Sequence, residues 1–229
     1  MNVYAIADLH FDSKKEKPMN IFGDNWICHE ENIVNNWEIT VKSNDLVLVP
    51  GDISWAVKLE DAKIDLQKID ELPGIKIIGK GNHDYWWSTS NKLDNLRMKT
   101  IKFLKNNYYE FDDVIVCGTR GWDSMEEHSE ETNNEKIYLR ELSRFKISLE
   151  NIKGSKKHKI AMLHYPPFTS EQEPNEFFIL MKEYKINTCI YGHLHGEDGH
   201  KNIIEGEVDG ITLHCVASDY LDFKVKKIK

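Results

Sequence analysis

Short apolar runs rich in β-branched residues recur along the chain at 3–7, 46–49, 75–78, 114–117, 160–163 and 188–191. Runs of that length and composition predict strands buried on both faces. Between them the apolar spacing becomes helical. Ile33, Val34, Trp37 and Val41 form one stripe, and Leu59, Ala62, Leu66 and Ile69 a second. Tyr138, Leu142, Phe145, Leu149 and Ile152 predict a third helix, with Asn133-Asn134 as its cap and the acidic residues 126–131 ahead of it. Glu207-Val208-Asp209-Gly210-Ile211-Thr212 sets an Asp-Gly turn between β-type residues, a hairpin signal. The lysine-rich tail, 224–229, reads as a solvated basic end. No Pro/Gly/Ser linker, repeat or low-complexity tract interrupts this alternation, so an α/β fold in one domain over residues 1–229 is expected.

A chain of 229 residues that is 40% hydrophobic can bury a core without covalent staples. Its formal net charge of −8 makes a long nucleic-acid duplex a poor partner. Cys28, Cys117, Cys189 and Cys215 lie far apart with no CxxC spacing. The last three fall in or beside apolar strand-like runs, which predicts buried reduced thiols and a cytoplasmic setting. The N-terminus agrees: no basic leader precedes the first apolar run, and no run approaches the ~20 residues of a membrane span.

Candidate chemistry follows the apolar runs. Asp8-Leu9-His10, Gly51-Asp52, Gly81-Asn82-His83-Asp84, His164 and Gly192-His193-Leu194-His195 each come just after a predicted strand. In α/β sheets the loops beyond the carboxyl ends of strands share one rim, so residues remote in sequence converge there. Carboxylate and amide oxygens with imidazole nitrogens, and no thiolate, suit Mn²⁺, Fe or Zn²⁺ in a hydrolytic centre. Two divalent ions are expected, Mn²⁺ first among them, with Fe or Zn²⁺ as alternatives. On an extended strand Asp8 and His10 would point the same way and share one ion. His193 and His195, equally spaced, would divide between two ions or chelate one. Asp52 is the natural bridge, and the neutral Asn82 leaves positive charge for an anionic substrate. A lone His164 after a strand would read as structural, but the other four clusters reverse that reading. His29, His128, His158, His200 and His214 lack such support and are assigned to surface or core.

Taken in order, these clusters have the form DxH, GD, GNH(D/E), H and GHxH. Over residues 8–195 the sequence therefore resembles the calcineurin-like metallophosphoesterases, in particular the small stand-alone bacterial type. The resemblance implies a four-layer α/β/β/α sandwich with central mixed β-sheets. It implies one ion held by Asp8, His10, Asp52 and His195, and a second by Asp52, Asn82, His164 and His193. It also gives His83 a catalytic role outside the metal shell, stabilising the transition state or protonating the leaving oxygen, with Asp84 orienting it.

Departures narrow the expectation. Serine/threonine phosphatases of this superfamily carry Asp-Arg-Gly shortly after GD, whereas Gly51-Asp52 is followed by Ile53-Ser54-Trp55-Ala56. Purple acid phosphatases place a tyrosine after GD and lack the first-motif histidine, whereas this chain has Trp55 and keeps His10. The expected activity is hydrolysis of a small phosphomonoester or phosphodiester, nucleotide-like in character. Protein phosphatase activity is the alternative, and a non-catalytic interaction module is disfavoured because no signature residue is missing. Trp55, Tyr85, Trp86, Trp87 and Trp122 lie near the predicted rim, available to stack on a base or to pack. Arg120, after a predicted strand, is expected to bind substrate phosphate bidentately, against the competing reading of a surface salt bridge. Residues 123–131 are expected to act as a lid.

Overall fold

The structure, a computed structural model, describes residues 1–123 and 132–229, those at 132 and 133 by their backbone alone. Strand parity explains its layers. In β1 (Val3–Ala5) and β2 (Leu46–Val49), Val3, Ala5, Leu46 and Leu48 face one core, while Tyr4, Val47 and Val49 face another. The first core also takes Val114, Val116, Ile160, Met162 and Ile190 from a second sheet. Successive side chains of a strand point to opposite faces, so a run apolar at every position must be covered on both. Outer layers provide that cover. Helices α1 (His29–Thr40) and α2 (Leu59–Glu71) bury Ile33, Trp37, Ala62, Leu66 and Ile69 against the first sheet. Helices α4 (Thr132–Glu150) and α5 (Glu176–Glu183) cover the second with Tyr138, Phe145, Phe177, Phe178 and Met181. The result is the expected α/β/β/α sandwich.

The first sheet has the order β11-β1-β2-β3-β4 and the second β5-β6-β7-β8-β10-β9. The remaining strands are β3 (Ile75–Ile78), β4 (Ile101–Phe103), β5 (Tyr108–Glu110), β6 (Val114–Gly118), β7 (His158–Met162), β8 (Thr188–Tyr191), β9 (Gly206–Val208), β10 (Ile211–Cys215) and β11 (Lys226–Lys227). Strands β1 to β4 of the first sheet run parallel, with β11 antiparallel at one edge, and β6, β7, β8 and β10 of the second run parallel between antiparallel edge strands β5 and β9. Short helices α3 (Ser90–Asp94) and α6 (Gly196–His200) lie in the connections.

Three expectations need correction. The lysine-rich tail is not a free solvated end: Lys226 and Lys227 pair with Ala5 and Tyr4, and Val225 is buried. Its lysines mask the apolar Val225 and Ile228, which pack on the core. Helix α4 starts at Thr132, so Asn133 and Asn134 lie inside its first turn and do not precede it. Strand β1 stops at Ala5 rather than running to residue 7. The Asp-Gly hairpin is present, with Asp209 at φ 48° and Gly210 at φ 82°, the two positive values a type I′ turn needs. Residues 126–131, His128 and the lid apart from Asp123 lie outside the described residues. Among the described residues no helix is long and apolar enough to cross a membrane, and Cys117, Cys189 and Cys215 are buried free thiols.

Candidate metal centre

Parallel strands deliver the predicted residues to one rim. Asp8 follows β1, Asp52 follows β2, Asn82 and His83 follow β3, Arg120 follows β6, His164 follows β7, and His193 and His195 follow β8. Asp8 sits at the seam between the sheets. The Ile6 N–H donates to Leu48 O of the first sheet at 3.1 Å, whereas the next N–H, of Ala7, donates to Val216 O beside the second at 2.6 Å.

Asp8 and His10 do not converge through strand alternation. Asp8 (φ 59°), His10 (φ 47°), Asp52 (φ 53°) and His193 (φ 72°) are all left-handed. Asp and His tolerate that region better than branched residues, and such conformations persist where surrounding contacts enforce them. Here Asp8 N–H donates to Gly51 O and His10 N–H to Asp52 O, each at 3.0 Å, locking the two loops together. The motif glycines follow from close approach. A Cβ on Gly81 would lie 2.0 Å from Asp52 Oδ1, and one on Gly192 would lie 2.4 Å from Asp8 Oδ2.

Ligand-type atoms of Asp8, His10 and His195 lie within 4.8 Å of one another, as do those of Asp8, Asp52 and His164. His195 Nε2 stands 3.3 Å from Asp8 Oδ1, His164 Nε2 3.6 Å from Asp52 Oδ2, and His10 Nε2 3.8 Å from the same Asp52 oxygen. The His83 N–H donates to Asp52 Oδ1 at 2.8 Å, and the His193 N–H to Asp8 Oδ2 at 3.0 Å. His164 Nδ1 donates to Pro50 O at 3.0 Å, which leaves Nε2 as a bare lone pair, and that nitrogen faces Asn82 Oδ1 at 2.6 Å. Asn82 Oδ1 is also 3.1 Å from His193 Nδ1. Lone pairs gathered in this way are the arrangement a cation organises.

The electrostatics agree. Burial, then the adjacent Asp84 and Asp8 carboxylates, push Asp52 well above the usual carboxylate range. Burial, then neighbouring imidazoles, holds His10 well below its ordinary value, and lowers His193 to about 3. Burial also holds His164 well below its ordinary value. Burial opposes charge on His195 as well, but Asp8 and Asp219 raise it to about 10. A raised Asp52 beside the neutral imidazoles of His10, His164 and His193 fits divalent cations, which reverse the pKa logic of such a pocket. Buried His195 Nε2 and His10 Nδ1 have no hydrogen-bond partner among the described residues.

One expectation and one alternative change here. Among the described residues Asp84 makes no hydrogen bond to the His83 ring. Its buried carboxylate accepts the N–H groups of Asp52, Ile53 and Gly81 at 2.7–2.9 Å, that of Ser54 at 3.4 Å and the indole N–H of Trp86 at 3.0 Å. It therefore shapes the loop carrying Asp52, while buried His83 Nδ1 has no partner among the described residues and its ring leans on Trp55. Arg120 is not a surface salt bridge: its side chain is 11% exposed, 3.7 Å from Glu141 and stacked on Trp122. Of the rim aromatics, Trp86 is buried, Trp55 stacks on His10, and Tyr85 is exposed.

Sequence reading missed Asp219, Ser218 and Trp26. Asp219 Oδ1 accepts from His195 Nδ1 at 2.9 Å, Ser218 Oγ donates to Asp8 O at 2.7 Å, and the buried Trp26 ring touches those of His10 and His195. The available signal was position, because Ser218-Asp219 follows β10 as the other clusters follow their strands. His29 is a core histidine, as expected, its Nε2 3.2 Å from His10 O.

No curated protein is significantly similar to the chain in sequence. Solved structures share its fold. A structure described as phosphopantetheinyl hydrolase (PptH) from Mycobacterium tuberculosis superposes with a TM-score of 0.61 at 12% identity, covering 99% of this chain and 95% of that one. TT1561 of Thermus thermophilus gives 0.54 at 12% identity, with 98% and 96% covered. GAP50, described as the anchor in the inner membrane complex of Plasmodium, gives 0.51 at 13% identity, with 95% and 71% covered. The Calcineurin-like phosphoesterase family matches residues 1–197, most of the 229. By that match, on a fold and a donor set that suit it, the chain belongs to the calcineurin-like phosphoesterase family and is a metal-dependent phosphoester hydrolase.

Proposed function

We propose that the enzyme hydrolyses a small phosphomonoester or phosphodiester, nucleotide-like in character. In this reading Asp8, His10, Asp52 and His195 hold one divalent ion, Mn²⁺ first among candidates, and Asp52, Asn82, His164 and His193 hold the other. The observation that carries it is Asn82 Oδ1 facing His164 Nε2 and His193 Nδ1 at 2.6 and 3.1 Å, beside the Asp8–Asp52 carboxylates. Bound divalent ions supply Lewis-acid charge for the phosphoryl oxygens and acidify the attacking water.

The chain's own residues do the rest. His83, half-buried and with its backbone N–H on Asp52, is the group we assign to donate to a developing phosphoryl charge or to the leaving oxygen. Asp84 holds the Asp52 loop in shape. Asp219 fixes the His195 tautomer so that Nε2 points toward Asp8. Arg120 contributes fixed positive charge beside the centre.

The test is a Mn²⁺-supplemented panel of p-nitrophenyl phosphate, bis-p-nitrophenyl phosphate, nucleotides, a phosphopantetheinyl ester and a phosphopeptide, with Asp52→Ala as control. The phosphopantetheinyl ester enters because of the name of the Mycobacterium tuberculosis neighbour. Small-molecule turnover that the variant loses is expected. Phosphopeptide rates far above all others would replace this reading with protein phosphatase activity. Asp52→Ala is expected to lose metal and activity together. His83→Ala should keep its metal content and lose ~10²–10⁴ in kcat, the usual share of general acid–base help. Loss of metal from His83→Ala would contradict that role.

A further inference from the structure

Beside the proposed metal centre, a cavity of about 480 Å³ opens between the ends of β3, β4 and β6 and helix α4. Among the described residues its walls carry Lys80, Lys105, Arg120, Arg140 and Arg144, and one carboxylate, Glu141. Such a concentration of cations is unexpected in a chain of net charge −8. Glu141, 2% exposed, anchors the group: Arg144 Nη1 lies 2.6 Å, Arg140 Nε 3.5 Å and Arg120 Nη2 3.7 Å from its Oε1, and Thr119 Oγ1 donates to Oε2 at 2.8 Å. Among the described lining residues five cations thus stand against one carboxylate. Among the described residues buried Arg120 Nε has no hydrogen-bond partner and Lys80 makes no ion pair.

The cavity and the proposed metal centre share backbone. Lys80 directly precedes Gly81-Asn82, and Arg120 O accepts the N–H of His164 at 2.9 Å and of Tyr165 at 3.0 Å. The Arg120 guanidinium lies 4.3 Å over the Trp122 ring, Trp122 meets Tyr165, and Tyr165 meets His193 at 4.1 Å between centroids. An anion in the cavity would therefore sit next to, and separate from, the phosphoryl group at the metal centre. Planar guanidinium forks with a lysine suit phosphate oxygens.

We propose that this cavity is a phosphate-binding pocket holding a second phosphoryl group of the substrate, so that the preferred substrate carries two phosphates. The proposal rests on the metal-centre reading for the position of the group hydrolysed; the anion pocket stands on its own residues.

Two measurements separate those parts. Calorimetry of inorganic pyrophosphate with chelator-treated, metal-free protein should show one-to-one binding that weakens with salt. Arg140→Gln/Arg144→Gln should weaken it by about tenfold or more, as losing charge-assisted contacts predicts. No binding to metal-free protein, or binding unchanged in the variant, overturns the pocket. With Mn²⁺, kcat/KM for adenosine 3′,5′-bisphosphate over AMP, or for fructose 1,6-bisphosphate over fructose 6-phosphate, should exceed about ten, and the variant should bring that ratio close to one. Pyrophosphate binding with no bisphosphate preference overturns the substrate assignment and identifies a free-phosphate effector site. Absence of all Mn²⁺-dependent turnover overturns the metal-centre reading, while the calorimetry still judges the pocket.

Discussion

Asp84 is the residue on which the loop geometry of the centre turns. One buried carboxylate collects four backbone N–H groups and the Trp86 indole. Replacing it with alanine leaves those donors unpaired in a dry environment, where each costs ~1–3 kcal/mol. Asp84→Ala is therefore expected to lower thermal stability and Mn²⁺ affinity together, read by melting and metal titration. Asp84→Asn keeps the volume and one acceptor, and its defect should be smaller. If Asp84→Asn kept its melting point and metal yet lost activity, with an altered pH profile, the carboxylate would be acting on His83 after all.

At the scale of elements, two junctions hold the sandwich. Asp70, near the end of α2, accepts the N–H groups of Lys99, Thr100 and Ile101 and the Thr100 hydroxyl, fastening that helix to the start of β4. Although burial opposes its charge, these donors hold Asp70 below the usual carboxylate range. The folded state thus binds the proton more weakly than the unfolded chain. Its contribution is complete above the unfolded pKa of ~4 and is lost as pH falls through the lower folded value. Asp70→Asn should cost less than ~1 kcal/mol at pH 7, since solvent screens this part-exposed carboxylate, and that cost should shrink below about pH 4 in urea titrations. A difference constant with pH would refute the linkage. The second junction is β11 on β1. Deleting residues 225–229 removes the pairing to Tyr4 and Ala5 and the buried Val225, for an expected loss of ~2–4 kcal/mol. An unchanged urea midpoint would return the tail to a solvated end.

Across the whole molecule, the charges of the metal centre and the two sheets are one system. Asp8 is bonded to loops of both sheets, through Gly51 O on one side and through Ser218 Oγ and His193 N–H on the other. Under the proposed two-ion reading, a cation held at Asp8 and Asp52 would stabilise the packing of sheet on sheet as well as the loops. Saturating Mn²⁺ should raise the melting temperature, by the equivalent of ~2.7 kcal/mol at a hundredfold excess over Kd, and EDTA should reverse it. Asp52→Ala should flatten that response. A melting temperature indifferent to Mn²⁺ would argue against cation binding by the folded state.

The sequence alone determined the α/β alternation and the need for cover on both faces of strands such as 46–49, apolar at every position; helical stripes at Ile33–Trp37 and Leu66–Ile69 cover one face, while the facing sheet that covers the other was implied only by the family resemblance. It also determined the order of the polar clusters, each following a parallel strand whose carboxyl end is fixed by chain direction. Only the tertiary structure decided how those clusters meet. Left-handed backbone at Asp8, His10, Asp52 and His193 depends on hydrogen bonds between loops more than 40 residues apart, such as Asp8 N–H to Gly51 O, which no local pattern encodes. Asp84 was legible as a motif residue, but its partners were not, since a carboxylate serves whichever donors the packed loops bring to it. Lys226 and Lys227 read as solvated because of their charge, yet the exposed edge of β1 gave their backbone a ladder to join. The cavity lined by Lys80, Arg120 and Arg144 exists only once β3, β6 and α4 are packed side by side, because its field is the sum of charges that the sequence keeps far apart.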